Sequence, residues 1–133
     1  MIEQTLSIIK PDAVERNIDN KIKIFFEKNN LRILKSKKVK ISKEEASEFY
    51  KVHQTKPFYN DLCNYLSSGP IVVMILEGEN AVSKNREIIG ATDPTKAKEG
   101  TLRQMYGISI GKNFVHGSDS LINAKNEINF FFN

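Results

Sequence analysis

The chain has a single cysteine, Cys63, among its 133 residues, so an internal disulfide is excluded, and no Cys/His spacing resembles a zinc site. Cys63 lies among Leu62, Tyr65 and Leu66, which predicts a packing role. No apolar run approaches membrane-spanning length, and the opening MIEQTLSIIK lacks a basic region followed by a long apolar one. A cytoplasmic location without a membrane partner is therefore expected. Internal repeats, low-complexity tracts and linkers are missing as well, which points to one domain over residues 1–133. A strong charge of one sign is also lacking, since 20 basic and 16 acidic residues leave only +4. Lys35, Lys37, Lys38, Lys40 and Lys43 do fall close together. No aromatic residues interleave with them as a single-strand stacking surface requires, so a solvated face is the simpler reading and nucleic acid a side activity at most.

What is present is an ordinary globular composition, 40% hydrophobic and 27% charged. Leu6, Ile8 and Lys10 alternate with Thr5, Ser7 and Ile9 as in a strand that ends on Lys10. Pro11 halts it and opens a helix whose Val14, Ile18, Ile22 and Phe25/Phe26 recur at helical spacing up to Asn29-Asn30. Leu31–Ile41 reads as a second strand. Ser42 to Glu45 matches a capping box, opening a helix with Ala46, Phe49, Tyr50 and His53 near one face. Pro57 begins a short helix containing Phe58, Leu62, Tyr65 and Leu66, and Ser67 to Pro70 form a turn.

The uninterrupted apolar run Ile71–Leu76 predicts a central strand. A helix over Glu79–Ile89 stops at Gly90. A polar loop Ala91–Gly100 and one or two turns over Thr101–Tyr106 follow. A short strand, Asn113–His116, precedes a last helix from Leu121 to about Phe131 with Leu121, Ala124, Ile128 and Phe131 inward. The order β-α-β-α-α-β-α-β-α suits the α/β class: a ferredoxin-like βαββαβ core, a four-stranded antiparallel sheet with its helices on one face.

One stretch stands out chemically. Asn113–Ser120 places His116 at the end of a strand, before a glycine and a serine-rich run able to cap a helix. Neutral imidazole keeps a free lone pair at physiological pH and serves as base, ligand or nucleophile, and a helix start beside it suits an anion. The segment Gly107 to Asn113 superficially resembles a phosphate-binding P-loop. It is one residue too short between its glycines, and Asn113 replaces the magnesium-binding hydroxyl residue. Ser118, His116 and Asp119 stand too near one another in sequence for a hydrolase triad with separated roles.

Taken together, Lys10-Pro11-Asp12-Ala13-Val14, Asn85-Arg86-Glu87, Gly90-Ala91-Thr92-Asp93-Pro94, Gly100-Thr101-Leu102-Arg103 and Asn113–Ser120 resemble the nucleoside diphosphate kinase family, over about Thr5 to Phe131. The resemblance implies transfer of the terminal phosphate of a nucleoside triphosphate, mainly ATP, to nucleoside diphosphates. It implies two half-reactions in one site, through a phosphohistidine at His116 Nδ1. Glu127 matches the carboxylate that holds the other ring nitrogen, and Ser118 the hydroxyl that supports the pair. Lys10, Tyr50, Arg86, Thr92, Arg103 and Asn113 match phosphate- or ribose-binding positions. Phe58 and Leu62, with Ile110 on the opposite side, match the base-binding cleft, where stacking tolerates any base.

Mg²⁺ is expected to arrive on the nucleotide, held mainly by phosphates and water, with no dedicated protein cage; Asp119 is expected chiefly to brace Arg103 and the capping turn. A homo-oligomer is implied, a hexamer before a tetramer, with the loop Ala91–Gly100 meeting neighbouring subunits. The rival reading is a catalytically weak nucleic-acid-binding protein on the same scaffold. Four positions depart from the usual family pattern: Lys56 and Asp93 replace a common arginine and asparagine, Tyr106 a phenylalanine, and Met105 an acidic residue that would brace Arg103.

Overall fold

The structure is a computed structural model and describes residues 1–109 and 112–132. At its centre runs β3, Ile71–Glu79, whose first six residues are all buried, as a strand covered on both faces requires. β1 (Ile2–Ile9) and β2 (Arg32–Val39) pair antiparallel along its two edges. β4 (Val115–Gly117) pairs antiparallel with the far side of β1, so the sheet order is β2-β3-β1-β4. This is the ferredoxin-like order expected from the sequence.

Helices cover both faces of this sheet, which corrects the expectation of one. Ile9, Val72, Met74 and Leu76 face one core. There they meet Val14 of α1 (Pro11–Glu15), Ile22 and Phe26 of α2 (Asp19–Lys28), Ile89 of α5 (Ala81–Ile89) and Leu102 of α6 (Leu102–Tyr106). Leu6, Ile8, Ile71 and Val73 face the other. That side is closed by Ala46 of α3 (Lys43–Phe49), Cys63 and Leu66 of α4 (Tyr59–Leu66) and Phe131 of α7 (Leu121–Phe132). The physical reason is that β3 is apolar at consecutive positions, so each face needs a cover. A fully enclosed side chain such as Phe26 or Leu6 contributes about 1.5–3 kcal/mol.

Several boundaries move for local reasons. The single helix expected after Pro11 is broken between α1 and α2, where Asn17 adopts a left-handed φ of 58°, a conformation asparagine tolerates. β1 starts at Ile2 and β3 continues to Glu79, because Ile2 pairs with Glu79 through the backbone whatever the side chains. α3 begins with the expected capping box, Ser42 Oγ accepting the Glu45 amide at 3.1 Å and Glu45 Oε1 the Ser42 amide at 3.1 Å. It ends at Phe49, and a 3-10 turn over Lys51–His53 follows. Asn80, left-handed at φ 51°, delays α5 to Ala81, and Gly90 at φ 88° ends it.

The expected strand Asn113–His116 shifts to Val115–Gly117, because Phe114 sits at φ 61° and cannot continue an extended chain. In α7, Ala124, Ile128 and Phe131 do turn inward, but Leu121 is 48% exposed. No helix among the described residues is long and apolar enough to cross a membrane.

Candidate active site

The register of β4 aims the site. His116 lies opposite Ile8 of β1, so both side chains leave the sheet on the face covered by α3, α4 and α7. There the imidazole Nε2 stands 2.8 Å from Oε1 of Glu127, one helical stretch further on in α7. Ser118 Oγ donates to the same oxygen at 2.8 Å while accepting the backbone N–H of Leu6 at 3.2 Å. Strand, serine and helix therefore hold one carboxylate against one ring. With Nε2–H turned to that carboxylate, the free lone pair of the ring belongs to Nδ1. Ser120 starts α7 by accepting the Asn123 amide on its hydroxyl at 3.1 Å, the capping role expected of the serine-rich run.

Positive charge converges on this ring from three separate segments. Lys10 follows β1, is only 4% exposed, and is tied by its backbone N–H to the Phe114 carbonyl at 2.7 Å and by Nζ to Asn113 Oδ1 at 2.9 Å. Burial, reinforced by Arg103 and opposed by Asp12, lowers its pKa to about 7. Arg103, on α6, donates from Nη1 to the Gly90 carbonyl at 2.8 Å and from Nη2 to the Val115 carbonyl at 2.7 Å. Those two carbonyls supply its bracing, and Met105 beside it is 43% exposed. Burial and then Arg86 lower the Arg103 pKa to about 10, which leaves it charged at neutral pH. Arg86, on α5, is exposed and makes a long 3.5 Å contact with the Gly117 carbonyl.

These groups line one open cleft of about 480 Å³. Lys10, Arg86, Arg103, Asn113, His116 and Glu127 form its floor and charged wall, and Thr92 joins them from the loop after α5. Tyr50 enters at the end of α3; burial pushes its hydroxyl pKa up, so it remains a protonated donor. At the mouth stand Leu62 and Phe58, the latter 46% exposed and so available as a stacking surface rather than enclosed in the core. Ser118 is fully buried behind Glu127 and does not line the cleft. Ile110 lies outside the described residues.

Other cleft residues had no site role in the sequence reading. Phe49 meets the His116 ring edge-on, centroids 5.4 Å apart, although its helical spacing marked only an inward face. His53, Asn123, Asn126 and Phe130 also line the walls; nothing in the linear pattern sets them apart, because the cleft exists only once α3 and α7 stand side by side. Asp119 differs from expectation: its carboxylate accepts from Asn123 Nδ2 at 2.5 Å, and that bond, together with Arg86, holds its pKa below the usual range. It braces the first turn of α7, and its charged neighbour is Arg86 rather than Arg103. Asp93 caps the 3-10 turn Pro94–Lys96 through Thr95, Lys56 lies 5.7 Å over the Phe58 ring, and Tyr106 meets Phe114 edge-on at 6.2 Å. The lysine run occupies β2, the segment after it and the first residue of α3, and none of its members lines this cleft.

A family model described as nucleoside diphosphate kinase matches residues 3–133. The chain belongs to the nucleoside diphosphate kinase family. It is 60% identical over 131 residues to the nucleoside diphosphate kinase of Nitratiruptor sp., covering 98% of this chain and 96% of that one. The same figures hold for the nucleoside diphosphate kinase of Campylobacter curvus. Among solved structures, the nucleoside diphosphate kinase of Aquifex aeolicus superimposes with a TM-score of 0.97 at 41% identity, covering 100% of this chain and 96% of that one. That of Encephalitozoon cuniculi gives 0.94 at 38% identity, covering 98% and 88%. As a member of the nucleoside diphosphate kinase family the chain is an enzyme, a phosphotransferase.

Proposed function

We propose that this enzyme moves the terminal phosphoryl group of a nucleoside triphosphate, mainly ATP, to nucleoside diphosphates through a phosphorylated His116. The observation that carries this reading is the His116–Glu127 pair at 2.8 Å, opening into a cleft walled by Lys10, Arg86 and Arg103. In the first half-reaction the Nδ1 lone pair attacks the γ-phosphorus, an N–P bond forms, and the bond to the β–γ bridging oxygen breaks to release the diphosphate. The imidazole becomes cationic, and the Glu127 carboxylate, fixed by Ser118, offsets that charge through Nε2–H. In the second half-reaction a terminal oxygen of another diphosphate attacks the phosphorus, the N–P bond breaks, and neutral imidazole returns. No net proton transfer is needed.

The three cations and Tyr50 hold the phosphoryl oxygens as charge shifts among them, which is the main lever in such reactions. Lys10 and Asn113 also reach the ribose hydroxyls. Phe58 and Leu62, with Ile110, take the base by stacking, worth roughly 1–3 kcal/mol whichever base is present.

The donor set suits a magnesium ion that enters with the phosphates. Among the described residues no cluster of three or more His, Cys, Asp or Glu could hold a metal, Glu127 is committed to His116, and cations dominate the floor. Asp119, which lines the cleft, would accept from the ion's water shell. When bound, Mg²⁺ would draw electron density from the phosphate oxygens. The same reading takes residues 1–133 as one cytoplasmic kinase domain, assembled as a hexamer through the loop Ala91–Gly100.

Incubation with ATP labelled at the γ-phosphate tests the chemistry. Label is expected on the protein in an acid-labile, alkali-stable bond that any nucleoside diphosphate discharges. His116→Ala is expected to take up no label and still bind ADP. Label that persists after diphosphate is added, or wild-type protein that takes up none, would overturn the reading.

A further inference from the structure

Asp12 belongs to the Lys-Pro-Asp run, yet phosphotransfer as described leaves it without a task. It sits in the first turn of α1, where Oδ1 accepts the Tyr65 hydroxyl of α4. Its Oδ2 is enclosed by protein, has no hydrogen-bond partner among the described residues and lies 3.6 Å from Arg16 Nη1. Burial, together with the bond to Asp12, pushes the Tyr65 hydroxyl pKa up, so Tyr65 stays a donor. The ring so anchored carries the Lys10 ammonium, with Nζ 5.5 Å from its centroid. Asp12 and Tyr65 line a second cleft, separate from the one that holds His116, whereas Lys10 lines the first. Tyrosine and aspartate therefore approach Lys10 from behind the floor of the active site.

The electrostatics give this arrangement a purpose. Facing Lys10 are Arg103 from α6, Asp12 from α1 and Tyr65 from α4, with Arg86 of α5 beyond Arg103. Burial and then Arg103 favour loss of the lysine proton; Asp12 is the negative member of the set and opposes them. A neutral amine would be a poor phosphate ligand.

We infer that Asp12 is a positioning residue of the kinase site: anchored to Tyr65, its carboxylate favours the charged form of Lys10 and keeps that side chain seated on the tyrosine ring without touching the nucleotide. The inference rests on the phosphotransfer reading, because it assumes that Lys10 meets a phosphate.

Two variants separate charge from anchoring. Asp12→Asn keeps an oxygen for the Tyr65 hydroxyl and removes the charge; Tyr65→Phe keeps the ring and removes the bond. Lys10 is followed directly by the NMR resonance of its ¹³Cε as pH rises, and activity by the pH profile of kcat/KM for ATP. In Asp12→Asn, Lys10 is expected to lose its proton at lower pH than in the wild type. The basic limb of kcat/KM is expected to move down with it. The result is a loss of roughly threefold to tenfold at pH 8 and near parity at pH 6. The kcat at saturating ATP is expected to change less, because a bound phosphate restores the lysine's charge. Tyr65→Phe is expected to shift both curves the same way by a smaller amount, and decides the matter by the same readouts if Asp12→Asn does not fold. Superimposable Lys10 titrations, or a kcat/KM loss equal at every pH, would overturn the inference. Wild-type protein without phosphotransfer would overturn the underlying reading instead, and the NMR titration would still judge Asp12.

Discussion

An ammonium group only 4% exposed, as in Lys10, is a poor ion until an anion reaches it. Its pKa of about 7 lies below the value of 10.5 for a free lysine, so between those values the folded protein has released a proton that the unfolded chain keeps. From this group, stability without nucleotide therefore rises with pH above about 7, whereas below it both states are charged and the cost of burying the charge is fully felt. Phosphate reverses the preference. At pH 8, ADP binding is expected to take up a fraction of a proton, measurable by calorimetry in two buffers of different ionisation enthalpy. Equal binding heats in both buffers at pH 8 would count against Lys10 as a phosphate ligand.

This residue was legible in the sequence because it ends an alternating strand beside a proline. Its neutral leaning was not, since burial depends on Asn113, Arg103 and Tyr65, which lie 55 to 103 positions away and meet it only in the fold.

At the scale of elements, the contact between α5 and β4 controls how Arg86 stands relative to His116. A Cβ on Gly117 would lie 2.5 Å from Asn85 Nδ2 and 3.1 Å from Ile89 Cδ1, both on α5. Glycine at that position lets the helix approach the strand closely enough for Arg86 to share the cleft. Gly117→Ala is expected to lower stability by about 1–3 kcal/mol in urea unfolding and to raise KM for the nucleotide several-fold. An alanine variant with wild-type stability and KM would show that the two elements do not need this distance.

Elements governed by neighbouring residues were legible: the capping box at Ser42, the proline start of α1 and the glycine end of α5. Where a residue's conformation answers to the rest of the fold, the pattern misled. Asn17 splits a helix and Phe114 shortens a strand, both through a left-handed φ that an apolar repeat cannot show.

For the whole molecule, the loop Ala91–Gly100 holds the 3-10 turn Pro94–Lys96 and leaves residues such as Thr95, Lys96 and Glu99 exposed. With the hexamer proposed above, sedimentation equilibrium is expected to give six times the 15.2 kDa of one chain; four times that mass would replace the hexamer by a tetramer.

The sequence alone determined the identity of the chemistry. His116, Lys10, Arg86 and Arg103 occur in motifs whose residue types suit phosphoryl transfer, and the alternation and helical spacing around them specify strands and helices by rules that act over a few residues. Only the tertiary structure decided the geometry that makes those residues one site. It put helices on both faces of the sheet, set Glu127 against His116 at 2.8 Å, and brought Phe49 against His116 and Tyr65 against Lys10. The reason is one of range. Hydrogen bonding along a helix and side-chain alternation along a strand are local, whereas burial, charge and the pairing of strands depend on which distant segments pack together.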